Sequence, residues 1–270
     1  MMGANDLIDS HEYISKVILK NFAFKDGNIK YVNFLEFPNG KPHCGNIKKF
    51  NVRYGAYSKE GEDALNNGFE DYFGKKIDHI NKCLRHEGIL NADDFDVSRI
   101  KKYFAFQCLR DDVFISRIIT TDGAICNNEL KGLIKSGDIS LPDLKNYLIE
   151  NEGEQEIFEK VFEEDALIVG IDVSGCLMGS SFVVDLGGAD KYNNLGLALS
   201  PKVVFMLTKD FDKELTLKYN KFAWKQLDEK EVAFFNKRIF ECGWHRCGGI
   251  AISKNRKQLE VAYRSRLFRG

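Results

Sequence analysis

The stretch from Asp9 to Tyr57 contains a helix pattern followed by two strand patterns, and this order constrains the fold more than any other feature. Asp9 and Glu12 have the spacing of a capping box, which predicts that a helix starts there. Apolar residues then recur at helical spacing, which predicts one buried face. These residues are Tyr13, Val17, Ile18 and Phe22.

A β-hairpin is predicted directly after this helix. Residues 26–28 form a turn signal, and residues 29–37 alternate or run apolar as a strand does. The Pro- and Gly-containing residues 38–42 predict a second turn, and residues 47–54 predict the return strand.

The remainder of the chain predicts helices in the centre and a small sheet towards the end. Helical patterns cover residues 63–87 and a helix capped by Asp96 or Ser98. Short runs rich in Val, Ile and Phe predict strands over 166–173, 181–186, 202–208 and 250–253. Further helices are predicted over 229–246 and 258–268.

These patterns predict the α+β class, with a helical central region packed beside a small antiparallel or mixed β-sheet. A length of 270 residues fits a single domain over 1–270 or two tightly joined lobes, 1–163 and 164–270.

Composition narrows the functional classes. A formal net charge of −1 gives no global field that favours nucleic acid or membrane, so nucleic-acid binding would need a local basic patch. No apolar run approaches the roughly 20 residues that span a bilayer, and the N-terminus lacks a signal-peptide pattern. Seven scattered cysteines, an odd number, fit free thiols in a reducing cytoplasm. We therefore expect a cytoplasmic protein without a membrane partner.

Four motifs occur in an order that resembles one bacterial family. They are Tyr13-Ile14-Ser15-Lys16-Val17-Ile18-Leu19-Lys20-Asn21-Phe22-Ala23, Phe104-Ala105-Phe106-Gln107-Cys108-Leu109-Arg110, Ser181-Phe182-Val183-Val184-Asp185 and Leu197-Ala198-Leu199-Ser200-Pro201. In this order they resemble the domain of unknown function family 4238, across roughly Ser10 to Ser253. The family carries no settled activity, so the resemblance implies no reaction.

The chain departs from the family motifs at polar positions. Glu12 stands where the family has His, with His11 one place away, and Ser15 stands where the family has Pro. Asp185 is close to the family's Ser-Asp-x-Pro turn, but no Pro follows it. If these residues form a site in the family, this chain has altered it.

His11, Glu12 and Arg110 form a candidate catalytic site, because the resemblance implies that the first helix and the central helix lie close together. An imidazole or carboxylate can act as general base, and a guanidinium can hold a phosphate or carboxylate in a bidentate fork. The alternative is structural: Glu12 caps its helix and Arg110 pairs with a nearby carboxylate.

Asp172 and Asp185 close or follow two predicted strands and can in principle bind a divalent metal, as nucleases require. The Glu/Gln-x-Lys motif expected after the second Asp of a restriction-like nuclease is missing. The alternative interpretation is that both are ordinary strand-end aspartates.

Cys242, His245 and Cys247 form the sharpest metal-like cluster, with His43-Cys44 as a distant partner pair. Thiolate and imidazole are the ligands that zinc prefers, and four of them would close a tetrahedral site. The alternative is that Cys242 belongs to the apolar face of a helix.

The C-terminal segment is the clearest basic concentration, with aromatic residues interleaved. Phosphates would suit its cations, and its rings could stack on bases. The alternative is a solvated helix that balances the acidic stretch 150–164. The cations are Lys254, Arg256, Lys257, Arg264, Arg266 and Arg269, and the aromatic residues are Tyr263 and Phe268.

The sequence favours a bacterial or phage effector that acts on nucleic acid or a nucleotide, of a nuclease or toxin-like kind used in phage–host conflict and defence. If it is an enzyme, a metal-dependent hydrolase or nuclease is the expected class. The alternative is a non-catalytic binding or regulatory module that acts through a protein partner. A metal-stabilised scaffold using the Cys242 cluster is a third hypothesis.

Overall fold

A computed structural model gives the architecture of the protein. It describes residues 7–11, 14–37, 40–50, 52–58, 63, 70–85, 95–109, 132, 136–140, 143, 162, 165–171, 175–176, 178–179, 183–187, 194–208, 222–244 and 249–267.

The described elements are five helices and twelve strands. The helices are α1 (Lys16–Phe22), α2 (Asp71–Arg85), α3 (Val97–Leu109), α4 (Glu229–Trp244) and α5 (Arg256–Leu267). The strands are β1 (Leu7–His11), β2 (Phe24–Asp26), β3 (Ile29–Glu36), β4 (His43–Asn46), β5 (Val52–Ser58), β6 (Ala166–Ile171), β7 (Met178–Gly179), β8 (Val183–Asp185), β9 (Asn194–Ser200), β10 (Val203–Thr208), β11 (Phe222–Gln226) and β12 (Ile250–Ser253).

The larger layer is a five-stranded sheet in the order β11-β6-β10-β9-β8, called here the large sheet. Strands β11 and β6 are parallel, and every other neighbouring pair is antiparallel. Helices α1, α2 and α3 lie on one face, where Phe205 of β10 contacts the ring of Phe73 at a centroid distance of 6.0 Å. Tyr103 of α3 packs on Phe73 in turn, at 3.9 Å. This face forms the centre of the apolar core.

Helix α4 covers part of the opposite face, and two glycines allow its close approach. A Cβ atom at Gly196 would lie 2.6 Å from Cε2 of Phe235 in α4. A Cβ atom at Gly170 would lie 2.9 Å from the Leu227 side chain, which is buried just before the helix. Because side chains alternate across a strand, these glycines and the buried residues beside them face opposite sides of the sheet.

The second sheet joins strands from both ends of the chain. Strand β3 pairs with β2, β4 and β12, and β12 also pairs with β7. Helix α5 packs on this sheet, where Ser253 donates a hydrogen bond to Gln258. The sheet therefore contains residues from both sides of the 163/164 division considered for two lobes.

The predicted start of the first helix is wrong. Asp9 lies in β1, which pairs with β5 in a separate two-stranded ribbon, and the helix begins only at Lys16. Ser15 is the N-cap, and its hydroxyl accepts a hydrogen bond from the Ile18 amide. The same amide also donates to the Ser15 carbonyl at 3.1 Å, so the hydroxyl adds a second contact at the start of the helix. The apolar face is confirmed, since Ile18 and Phe22 are fully buried.

The predicted return strand of the hairpin is also wrong. The partner of β3 is β4, which ends at Asn46; residues 47–50 form a turn, and residues 52–58 pair with β1. Strands β1, β2, β4, β7, β9 and β11 were not predicted. The predicted strands that correspond to β3, β6, β8, β10 and β12, and the helices that correspond to α2 to α5, are confirmed in position with small differences at their ends.

The α+β class is confirmed, with antiparallel and mixed sheets packed against helices. Within the described residues, we find no helix that combines the length and the apolar character needed to cross a membrane.

Candidate functional site

Asp185 is the one predicted catalytic residue whose side chain is described, and its contacts are structural. Its backbone carbonyl accepts a hydrogen bond from Nε of Arg238 at 2.7 Å, and a guanidinium nitrogen of Arg238 lies 3.6 Å from its carboxylate. The other carboxylate oxygen accepts the Gly187 amide at 2.9 Å. Gly187 has a φ of 85°, which favours glycine, so Asp185 closes a tight turn after β8.

The guanidinium of Arg238 also connects Asp185 to a second carboxylate. Its Nη1 donates to Glu241 at 2.7 Å, and Nζ of Lys237 lies 3.4 Å from the same carboxylate. Desolvation by burial acts to raise the pKa of Glu241, but the Arg238 hydrogen bond and the charges of Arg238 and Lys237 outweigh it. The pKa of Glu241 is therefore lowered from its ordinary value. This network fixes α4 to the end of β8.

The side chains of the remaining predicted catalytic residues lie outside the described part of the chain. The backbone of His11 lies in β1 opposite Val52, and its side chain is outside the described part of the chain. Glu12 and Arg110 also lie outside the described residues.

The metal pair of Asp172 and Asp185 is not favoured by the strand directions. Asp172 lies outside the described residues, but its neighbour Ile171 ends β6. Register places Asp185 level with Leu167, at the opposite end of that strand. Ile171 is thus roughly 13 Å from the level of Asp185 along the strands and roughly 14 Å across them.

The proposed zinc ligands are described only in part. Cys242 is half-buried near the end of α4 and packs against the core, whereas His245 and Cys247 lie outside the described residues. His43 and Cys44 are exposed on β4. No group of three or more His, Cys, Asp or Glu residues able to hold a metal ion occurs in the described portion of the chain.

A groove with a volume of about 500 Å³ lies between α4 and the large sheet. Its floor contains Ile168 of β6 and Met206 of β10, which are half-buried although the residues on either side of them are buried. Phe234 and Phe235 of α4 form one wall, and the Phe234 side chain is 49% exposed. The groove exists because α4 leaves the middle of this sheet face uncovered.

Polar groups occupy two ends of this groove. Lys225, Lys230 and Glu231 lie near the start of α4, and Lys225 forms an ion pair with Glu231. Asn194 and Thr208, which hydrogen-bond to each other, lie at the other end of the strands. Lys225 is level with Gly170 and Thr208 with Ala166, so the two ends are roughly 13 Å apart along the strands.

A second candidate site is the basic lobe, defined as residues 14–50 and 249–267, which contain α1, β2, β3, β4, β12 and α5. These residues include twelve Lys and Arg side chains but three Asp and Glu side chains, a formal charge of +9. Since the whole chain carries −1, the remaining residues carry −10. Ten of the twelve cations are exposed: Lys16, Lys20, Lys25, Lys41, Lys48, Lys49, Lys254, Arg256, Lys257 and Arg264.

The predicted nucleic-acid-binding residues lie in this lobe on α5. Arg256, Lys257 and Arg264 are exposed, and Arg266 belongs to the same helix with a side chain outside the described set. Arg256 pairs with Glu260 at 3.1 Å and donates to the Pro42 carbonyl at 3.3 Å. The start of α5 is thereby held beside Lys41, which adds a cation from outside the C-terminal segment.

Two aromatic rings of the basic lobe lie on its β2–β3 hairpin, beside further lysines. Phe24 and Tyr31 are stacked with centroids 5.9 Å apart, and both are half-buried. Lys25 and Lys30 follow and precede them in the hairpin. Rings and cations are therefore adjacent in two parts of the lobe, the hairpin and α5.

None of the family models, characterised proteins or solved structures with which the chain was compared matches it. The resemblance to the uncharacterised bacterial family thus stays a prediction.

No local sequence pattern indicated the groove or most of the basic lobe. The groove depends on residues between 168 and 235 that come together only on folding. The lobe was detectable as a charge imbalance in residues 14–50, but apart from the adjacent Lys48 and Lys49 these lysines are scattered, whereas the cations of α5 are clustered.

Proposed function

We propose that this protein binds nucleic acid through the phosphate contacts of its basic lobe. The observation that supports this proposal is the segregation of charge, +9 in the lobe against −10 elsewhere. Such a concentration of lysines attracts a polyanion locally even though the net charge of the chain is nearly zero.

The centre of the proposed interface is formed by Lys41, Lys254 and Lys257, around Arg256. The Arg256–Pro42 contact holds the first of these beside α5, and Asn33 donates to the Lys254 carbonyl at 3.2 Å and fixes the backbone between β12 and the helix. No ion pair engages the three lysines within the described residues. Their ammonium groups can therefore bind phosphates without first losing a protein partner.

The chemistry of this surface favours backbone recognition over sequence recognition. Lysine is a flexible point charge that contacts phosphate without a fixed geometry. We therefore expect affinity that depends weakly on base sequence and strongly on salt. The stacked rings on the β2–β3 hairpin favour single strands, because an exposed base can stack on a ring.

Metal-dependent hydrolysis is the less favoured alternative. A carboxylate that ligates a catalytic metal needs oxygen atoms directed at the ion. Those of Asp185 face Arg238 and the Gly187 amide instead.

The test is fluorescence anisotropy with labelled single-stranded and double-stranded oligonucleotides at two salt concentrations. For about four phosphate contacts, affinity for the duplex is expected to fall roughly a hundredfold between about 50 and 200 mM salt. The triple variant Lys41→Glu, Lys254→Glu, Lys257→Glu is expected to lose measurable binding. Incubation with Mg²⁺ or Mn²⁺ is expected to leave the oligonucleotide intact.

A matched variant distinguishes the effect of charge in the basic lobe from the effect of the protein's total charge. Lys75→Glu, Lys82→Glu, Lys202→Glu reverses three exposed lysines outside the lobe and is expected to bind within about twofold of the natural protein. Equal losses in both triple variants would contradict an interface in the lobe. Absence of binding by the natural protein at low salt would refute the function and direct attention to a protein partner.

A further inference from the structure

We propose that Gln258 is a positioning residue of the nucleic-acid interface, and that its contact with Gly175 fixes the turn that carries Lys254. This inference rests on the proposed function and deepens it. It gives the interface a support outside the basic lobe, because Gly175 lies between β6 and β7.

Gln258 occupies a helix-capping position, yet its side chain reaches away from the helix. It is the third residue of α5, after the N-cap Asn255, and a glutamine at this position ordinarily bonds back to the amide of the cap. The Asn255 amide instead donates to the Ser253 hydroxyl at 3.0 Å. The side-chain amide of Gln258 is therefore available for a partner beyond the helix.

That partner is the backbone carbonyl of Gly175, to which Nε2 of Gln258 donates a hydrogen bond at 3.0 Å. Oε1 of the same side chain accepts the hydroxyl of the fully buried Ser253 at 2.5 Å. An amide offers both a donor and an acceptor, so one side chain can join these two partners. Because the Ser253 hydroxyl also accepts the Asn255 amide, Gln258 is connected to the whole turn between β12 and α5.

Gly175 suits this contact because it has no side chain. Its φ of 107° favours glycine, and a Cβ atom there would lie 2.9 Å from Nε2 of Gln258. The next residue is fixed as well, since the buried Cys176 donates its amide to the Pro201 carbonyl at 2.7 Å. Pro201 lies in the turn between β9 and β10, so Gln258 connects the basic lobe to the large sheet.

The same contacts determine where the interface lysines lie. Lys254 is part of the fixed turn, and Lys257 directly precedes Gln258. Loss of the Gln258 amide would leave the buried Ser253 hydroxyl without its acceptor, which favours a shift of the turn. Lys41 belongs to a distant segment, so a shift of the turn would change the spacing of the three lysines. We expect that change to cost one of the phosphate contacts.

The test repeats the anisotropy measurement on the labelled duplex with Gly175→Ala and Gln258→Met, neither of which changes the charge. Each substitution is expected to weaken binding about fivefold at about 50 mM salt. With about three phosphate contacts instead of four, the fall in affinity between about 50 and 200 mM salt should shrink from roughly a hundredfold to roughly fortyfold. A loss of stability alone would not change this salt dependence.

Each variant has a matched control. Gly187→Ala also places a side chain at a positive φ, of 85°, but no atom lies within 4 Å of the added Cβ. Gln226→Met makes the same change of side chain as Gln258→Met at an exposed position of β11, outside the lobe. Both controls should bind as the natural protein does, and a thermal scan establishes which of the four variants are folded.

Gly175→Ala and Gln258→Met disrupt one contact from its two sides, so either variant decides the question if the other does not fold. Unchanged affinity and salt dependence would overturn this inference and leave the proposed function intact. Equal effects in the controls would overturn it as well. If the natural protein does not bind the duplex at low salt, the proposed function is refuted and this inference with it.

Discussion

The large sheet has helices on both faces. The sheet of the basic lobe is instead formed by segments whose lysines are mostly exposed. In the large sheet, glycines at 170 and 196 let side chains approach the backbone closely, and polar contacts such as Arg238–Asp185 lie at its edge. The basic lobe shares the same apolar core but carries ten exposed cations. A nearly neutral chain can therefore carry a strong local field when its charges are distributed unequally between its parts.

The largest effect is expected where α4 touches the large sheet. Gly196→Ala places a Cβ atom 2.6 Å from the Phe235 ring and 3.1 Å from Leu186, so either the Phe235 ring or α4 must shift. We expect the free energy of unfolding to fall by about 1–3 kcal/mol in chemical denaturation. Gly132→Ala is the control, because no atom lies within 4 Å of the added Cβ. A loss of equal size in both variants would show that close packing is not the cause.

The N-caps of α4 and α5 allow a direct comparison between the large-sheet region and the basic lobe. Asp228 accepts two amides, and Glu231 accepts the Asp228 amide in return at 3.1 Å, whereas Asn255 accepts only the Lys257 amide in its helix. Asp228→Ala should therefore lower the free energy of unfolding by about 1–2 kcal/mol and Asn255→Ala by about 0.5–1 kcal/mol. Thermal denaturation of the two variants shows which substitution lowers stability more. A larger loss for Asn255→Ala than for Asp228→Ala would contradict this account of the caps.

Charge reversal in the basic lobe is expected to stabilise the fold slightly while it weakens nucleic-acid binding. Lys257→Glu relieves repulsion among the cations and places an acidic residue in the first turn of α5, for a gain of about 0.5 kcal/mol at low salt. The gain should vanish in about 1 M salt, where charges are screened. Lys202→Glu, outside the lobe, should show no such salt-dependent gain, and denaturation curves at both salt concentrations compare the two.

The smallest effect concerns Glu241. Its lowered pKa means that its contribution to stability is present above its ordinary pKa and is lost as the pH falls through the lowered value. Glu241→Gln should cost a few tenths of a kcal/mol near neutral pH, the size expected of a partly exposed pair, and nothing in strong acid. Unfolding measured across this pH window tests the sign; a loss that grew in acid would contradict it.

Periodicity and capping residues predicted the parts of the fold that depend on local sequence. The apolar faces of α1 and α2, the Asp96 cap and the strand β12 follow from patterns within a few residues. Strand β9 carried a period-two pattern, with Leu195, Leu197 and Leu199 alternating with smaller residues, but residues 197–201 were interpreted only as a family motif. The start of α1 was predicted wrongly because Asp9 and Ser15 are both residue types that cap helices. The pairing of β1 with β5 places Asp9 in a strand and leaves Ser15 as the cap.

The candidate sites were less predictable because they depend on contacts between distant residues. Arg238 and Asp185 are separated by 53 positions, and nothing local to either residue indicates the pair. The groove forms where α4 leaves one face of the large sheet uncovered, and no sequence pattern predicts such a gap. The cations of α5 were predicted because they are adjacent, whereas Lys41 joins them only through the contact of Arg256 with Pro42.

The position of β12 has a consequence for the order in which the chain folds. This strand pairs with both β3 and β7, so the sheet of the basic lobe is completed by residues 250–253, more than two hundred positions after β3. During synthesis β3 must therefore wait, with an unpaired edge, until most of the protein has emerged from the ribosome. Such distant pairing slows folding, and it makes the growing N-terminal segment a natural client for chaperones.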